Sequence, residues 1–224
     1  MRNLLILSGC IFILGTSHAQ TYSIDDLNQT VFLYPDFYKG KVLFKNGSVQ
    51  HAIFNYNTLF QQMIYVQNGV MLALDDVAAI DTVYVDSLKF IPVDTSFYEV
   101  KLARSPVPLF IKYSVDVARS APATPFGGTS QTGAVQNISS YRFGVATPYQ
   151  LKVADNYTVR KFAEYYIKSA GRFIPVKGIK QLKQLYPASE KQIRKFIKDN
   201  HLGFDKTGDM EKLLSFIGTV KGPG

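Results

Sequence analysis

The chain has 224 residues, 46% hydrophobic and 13% aromatic, with 25 Lys and Arg against 17 Asp and Glu. That balance excludes a disordered polyelectrolyte and supplies enough apolar side chains for an ordinary core. A single cysteine, Cys10, excludes a disulfide framework and a cysteine-based metal cluster.

The N-terminus reads as an address. Met1-Arg2-Asn3, the apolar run LLILSGCIFILG from Leu4, and the small residues Ser17 and Ala19 ahead of Gln20 have the layout of a cleaved signal peptide over residues 1–19. The run is shorter than the roughly 20 residues of a membrane-spanning helix. Leu7-Ser8-Gly9-Cys10 offers a second reading, lipidation at Cys10. It would leave only Leu4–Leu7 as apolar core and put Ile11-Phe12-Ile13-Leu14 where a polar tether is expected. Cleavage after Ala19 is therefore the preferred expectation. The mature protein is expected to be exported, periplasmic or envelope-associated, with no transmembrane helix.

Charge is unevenly placed. Residues 20–150 carry 9 basic against 10 acidic side chains, and residues 151–224 carry 15 against 7, so 9 − 10 = −1 and 15 − 7 = +8. The C-terminal third is the basic part.

In chain order, Val31–Tyr38 (VFLYPDFY) reads as an extended segment broken by a turn at Pro35-Asp36. Asn46-Gly47 and Asn68-Gly69 each separate short apolar runs, the strongest local hairpin signal, and predict two-residue turns in a four-stranded meander. Its strands are expected at Lys41–Lys45, Ser48–Tyr56, Gln61–Gln67 and Val70–Leu74. Asp75–Ile80 reads as a helical turn or corner. Further strands are expected at Thr82–Val85, Lys89–Val93, Phe97–Ala103 and Leu109–Val117, the last with clear apolar–polar alternation.

Arg119–Thr147 is rich in Ser, Thr, Gly, Ala and Pro and reads as a long loop. Its aromatic tip Tyr141-Arg142-Phe143 is a candidate partner-binding element. Strands are expected again at Tyr149–Val153, Val159–Lys168 and Arg172–Val176, the last two joined as a hairpin through Ser169-Ala170-Gly171. Three short amphipathic helices close the chain, at Ile179–Tyr186, from near Ser189 to Asn200, and from about Asp209. On the second, Lys191, Arg194, Lys195 and Lys198 recur at three- and four-residue spacing, so they share one face opposite Ile193, Phe196 and Ile197. Such a stripe either solvates a small bundle or meets an acidic partner.

Chemistry-bearing patterns are sparse. His51 and His201 are the histidines beyond the leader, and neither falls in a metal-spaced pair. Asp25-Asp26 and Asp75-Asp76 lack a calcium-loop pattern, and Gly127-Gly128 lacks the lysine of a phosphate loop. No catalytic, cofactor-binding or metal residue is assigned.

The stretches YPDFYKGKVLFKNGSVQHAIFNYNTLFQQMIYV and DTVYVDSLKFIPV, with the closing GIKQLKQLYPASEKQIRKFIKDN and FDKTGDMEKLLSFI, resemble uncharacterised exported proteins of Bacteroidota-type bacteria and the helical tail frequent in them. The resemblance implies a periplasmic or envelope location and brings no activity, cofactor or site residues. Asp81-Thr82-Val83 and Asp86-Ser87-Leu88 also resemble the Asp-Ser/Thr-apolar acceptor of O-glycosylation in exported proteins of such bacteria.

The expected fold class is α+β: a mainly antiparallel β-meander, barrel- or sandwich-like, followed by a β-hairpin and three helices. The expected divisions are 1–19 signal, 20–118 β domain, 119–147 loop and 148–224 basic module. The expected function is a non-catalytic envelope protein that binds or scaffolds an envelope protein, a glycan or an anionic lipid surface, with no nucleic acid and no cofactor. Two alternatives remain. One is a small-ligand carrier, with Phe44, Phe54, Tyr56, Tyr65 and Phe110 lining a barrel cavity. The other is an enzyme with a dispersed polar site.

Overall fold

A computed structural model describes residues 21–22, 31–119 and 157–220. The strands are β1 (Thr21–Tyr22), β2 (Tyr38–Phe44), β3 (Val49–Asn57), β4 (Gln62–Gln67), β5 (Val70–Ala73), β6 (Ile80–Val85), β7 (Leu88–Val93), β8 (Ser96–Lys101), β9 (Leu109–Arg119), β10 (Tyr157–Ser169) and β11 (Arg172–Pro175). They form one antiparallel sheet in the order β1-β5-β4-β3-β2-β6-β7-β8-β9-β10-β11. Three helices follow, α1 (Ile179–Leu185), α2 (Glu190–Asp199) and α3 (Thr207–Val220). The architecture is thus α+β, as the pattern of alternating runs and then helical stripes predicts, and the sheet is not closed. The expected loop 119–147 and strand Tyr149–Val153 lie, beyond Arg119, outside the described residues, as do residues 1–19.

The two Asn-Gly pairs make different turns. Asn68 and Gly69 both take positive φ, 52° and 77°, and link Gln67 directly to Val70 as a two-residue turn. At the first pair only Gly47 is left-handed, with φ 85°. Its N–H donates to the Phe44 carbonyl at 2.9 Å, and Asn46 Oδ1 accepts from the backbone N–H and the Oγ of Ser48. The Asn46 side chain prefers this local bond to the left-handed region, so Lys45 joins the loop and the turn is one residue longer than predicted.

Two meanders meet where β2 takes β6 as its second partner. Gly40 of β2 pairs with both Ala52 of β3 and Val85 of β6. A Cβ at Gly40 would collide with the Tyr84 carbonyl oxygen and lie 2.9 Å from the Phe54 ring. The missing side chain is therefore a packing requirement.

The sheet is strongly curled. β3 and β7 are separated by β2 and β6, which in a flat sheet would put them about 14 Å apart. Yet Tyr56 of β3 stacks on Phe90 of β7 with centroids 6.0 Å apart. The concave side so formed buries Val42, Phe54, Tyr56, Met63, Ile80, Val83, Val85, Phe90 and Phe97 in one cluster. The segment before β2 crosses the rim. Phe32 bridges to Asn57 and packs with Val31, Ile64, Met71 and Ala73, while Leu33 and Tyr34 turn onto the concave cluster. Lys161 Nζ of β10 donates to the Phe32 carbonyl, tying the far part of the sheet to this segment.

β9 and β10 are the backbone of the second half, in register from Arg119↔Tyr157 to Phe110↔Tyr166. Their faces split cleanly. Leu109, Ile111, Tyr165 and Ile167 pack under the helices with Leu182, Ile193, Met210, Leu213, Leu214 and Ile217. Phe110, Tyr166 and Phe173 form an aromatic group with Tyr98 on the other face. Tyr113 belongs to the margin of both the helix-covered and the concave clusters, so the two cores are continuous at that residue.

The helices follow their sequence signals. α1 stops ahead of Pro187, and α2 ends with His201 left-handed at φ 51°. Leu202 N–H donates to the Ile197 carbonyl and His201 N–H to Lys198, the pattern of a helix reversing its chain, with buried Leu202 as the apolar contact. Phe196 and Phe216 stack at 3.9 Å and bind α2 to α3. Tyr165 joins sheet to helices through Thr207 Oγ1 at 3.1 Å and the Asp205 carbonyl at 3.3 Å.

Candidate functional site

The basic stripe is where its spacing predicts. Lys191, Arg194, Lys195 and Lys198 are all exposed on α2, while Ile193 is fully buried on the opposite side. Part of their charge is met within the helix. Arg194 Nε donates to Glu190 Oε1 at 2.9 Å, and Lys195 Nζ to Asp199 at 2.6 Å. Lys183 of α1 also reaches Glu190, at 3.4 Å. The two cations beside Glu190, the Arg194 hydrogen bond first, hold its carboxyl below the usual carboxylate range. Glu190 thus links Lys183 of α1 with Arg194 of α2. The resulting surface carries Lys180 and Lys183 from α1 with the four cations of α2, all exposed. The other candidate element, Tyr141-Arg142-Phe143, lies outside the described residues.

A second cluster has no counterpart in the sequence reading. Glu99 of β8 is 2% exposed and lies on the concave side. It accepts from Tyr113 Oη at 2.5 Å and pairs with Lys101 Nζ at 2.8 Å. Burial, and then the Glu99 charge, push the Tyr113 phenol well above its ordinary value; the same causes raise Tyr34. A carboxylate so enclosed has its lone pairs occupied by a phenol and an ammonium, which is what burial of a charge requires. Its geometry joins β8 to β9 through a side-chain hydrogen bond. Sequence spacing could not find it, because Glu99 and Tyr113 meet only through the β8–β9 register, in which Glu99 pairs with Ile111.

Several other polar residues have identifiable structural uses. Asn55, 1% exposed, donates to the Tyr34 and Asp36 carbonyls at 2.9 and 3.0 Å and accepts from the Tyr34 and Tyr56 N–H groups. It pins the rim segment to β3. Asn57 Oδ1 caps the next turn by accepting from Leu59 and Phe60. His51 is exposed opposite Lys41, and His201 serves the helix reversal. Among the described residues no cluster of His, Cys, Asp or Glu could hold a metal ion. No helix among them is long and apolar enough to cross a membrane.

The five aromatics considered as a cavity lining do not share one. Phe54 and Tyr56 are packed inside the concave cluster, Phe44 and Tyr65 lie at its margin, and Phe110 belongs to the aromatic group on the other face. Of the two resemblances to an O-glycan acceptor, Thr82 is 4% exposed and bonded to Asp81, whereas Ser87 is exposed in a turn. Comparison of the chain with protein families, curated proteins and solved structures finds no match.

Proposed function

We propose that this is an exported, non-catalytic protein of the cell envelope that binds or scaffolds an acidic partner through the basic surface of α1 and α2. The observation that carries this reading is the exposure of Lys180, Lys183, Lys191, Arg194, Lys195 and Lys198 on two helices packed on the sheet and linked through Glu190. Clustered cations raise the local potential and favour acidic headgroups, acidic glycans or acidic protein surfaces, most strongly at low salt. The signal-like leader supports partners in the periplasm or envelope rather than nucleic acids.

Export is tested by fractionating the producing cells and determining the N-terminus of the recovered protein by mass spectrometry. A mature chain beginning at Gln20 in the periplasmic or envelope fraction is the expected result. A cytosolic chain retaining residues 1–19 would overturn the location, and a lipid-bearing Cys10 would replace the preferred cleavage.

A further inference from the structure

A cleft of about 240 Å3 opens where the rim segment passes the β6–β7 turn, lined by Tyr34, Tyr38, Val85, Asp86, Ser87 and Leu88. Its volume is below the roughly 300 Å3 at which sites for drug-sized ligands begin, so it suits one small group.

The cleft is built from fixed parts. Tyr34 and Tyr38 both line the cleft and meet edge to face, with centroids 5.9 Å apart and planes at 86°, so each ring braces the other. Asn55 holds the Tyr34 backbone from both its N–H and its carbonyl. Tyr38 is anchored in β2 opposite Phe54 but keeps 39% of its surface exposed. Buried Val85 and half-buried Leu88 supply an aliphatic side. Asp86 lines the cleft with φ 52°; its N–H donates to the Lys39 carbonyl at 2.9 Å, and its carboxylate accepts from Ser87 Oγ at 3.1 Å. The two β-strand partners of this turn place no cationic side chain in the cleft lining.

We propose that this cleft is a binding site for a small organic ammonium group, held against the Tyr34 and Tyr38 rings and neutralised by Asp86. Aromatic rings beside a carboxylate attract an organic cation, because ring faces are electron-rich and the acid supplies the formal charge. Burial and neighbouring acid groups keep Tyr34 un-ionised, so its ring acts as a neutral aromatic wall. A neutral ligand of the same shape gains the apolar contact with Val85 and Leu88 but not the attraction to Asp86 or to the ring faces. The ammonium can arrive on a free small molecule or headgroup, or on a lysine side chain of a protein. The cleft shares no residue with the basic helical surface.

Nuclear magnetic resonance titration of the intact protein with choline tests it, with the uncharged carbon isostere of choline as control. Choline is expected to shift the ring-proton signals of Tyr34 and Tyr38, and the isostere to bind more weakly. Asp86→Asn, which preserves tolerance of the left-handed backbone, and Tyr38→Ala, at a part-exposed side chain, are each expected to weaken choline roughly tenfold. Titration with Nα-acetyl-lysine methylamide distinguishes a protein-borne ammonium from a free one. Equal binding of choline and its isostere would overturn the proposal. So would shifts produced by N-acetylglucosamine in place of both ammonium ligands, or no shift at either tyrosine with both.

Discussion

At the scale of single residues, the described interior is organised around a few polar side chains that strap separate segments together. Tyr113→Phe removes one of the two groups that satisfy buried Glu99 and leaves a carboxylate short of a donor. Hydrogen bonds to charged groups are worth about 1.5–3 kcal/mol, so urea unfolding should show a loss of roughly 2 kcal/mol. An unchanged stability would mean that Tyr113 is not holding Glu99.

The tyrosines also fix the alkaline behaviour. Tyr34, Tyr56 and Tyr113 are all raised, chiefly by burial, above an unfolded value of 10.0. The folded state then keeps protons that the unfolded state releases. Their contribution is fully present below pH about 10 and is lost as pH rises above it. Stability measured against pH should fall on the alkaline side, and more gently in Tyr113→Phe than in the parent.

Little of this was legible in the sequence. A lone glutamate in an apolar strand carries no mark of its partner, and Asn55 looks like any polar residue in a strand. Both gain their roles from segments that meet only after the sheet has curled. By contrast, Asn68-Gly69 was readable, because the turn chemistry is local.

At the scale of elements, local pattern carries most of the result. Alternation in Leu109–Val117 becomes the helix-covered and aromatic faces of β9, and the apolar spacings of α1–α3 become their buried stripes. The limits of pattern show at Asn46-Gly47, where a side-chain bond lengthens the turn, and at Gly40. Gly40 is read as one more strand residue in sequence, yet it sits where β3, β2 and β6 are in closest approach. Gly40→Ala should destabilise by about 1–3 kcal/mol through overpacking, since the nearest obstacle is backbone that cannot rotate away. On α2, Ile193→Ala should cost about 2–5 kcal/mol, whereas Lys191→Ala should stay within about 0.5 kcal/mol. Thermal unfolding of both variants checks the contrast; equal losses would contradict the assigned helix faces.

At the scale of the whole molecule, the order β5-β4-β3-β2-β6 and the stacking of Tyr56 on Phe90 show a sheet curled on itself without closing. Strand order was not written in the local pattern, because the choice of β6 as the second partner of β2 depends on contacts distant in sequence. The basic surface was legible as a stripe, but not its join with α1, which depends on Lys183 reaching Glu190. Lys161 reaching Phe32, and Tyr113 touching both cores, couple the two halves. Urea unfolding followed by tyrosine fluorescence and by far-ultraviolet dichroism should therefore give coincident single transitions. Separate midpoints would show that the halves unfold independently.

The central claim, an acidic partner held by α1 and α2, is tested most directly by retention of the intact protein on anionic vesicles and on heparin as salt is raised. Retention on at least one should be strong at low salt and fall steeply towards about 0.15 M, where the screening length is about 8 Å. Replacing Lys191 and Lys198 together by Gln should release the protein at lower salt without altering its thermal unfolding. Absence of retention on both surfaces at low salt would contradict the account.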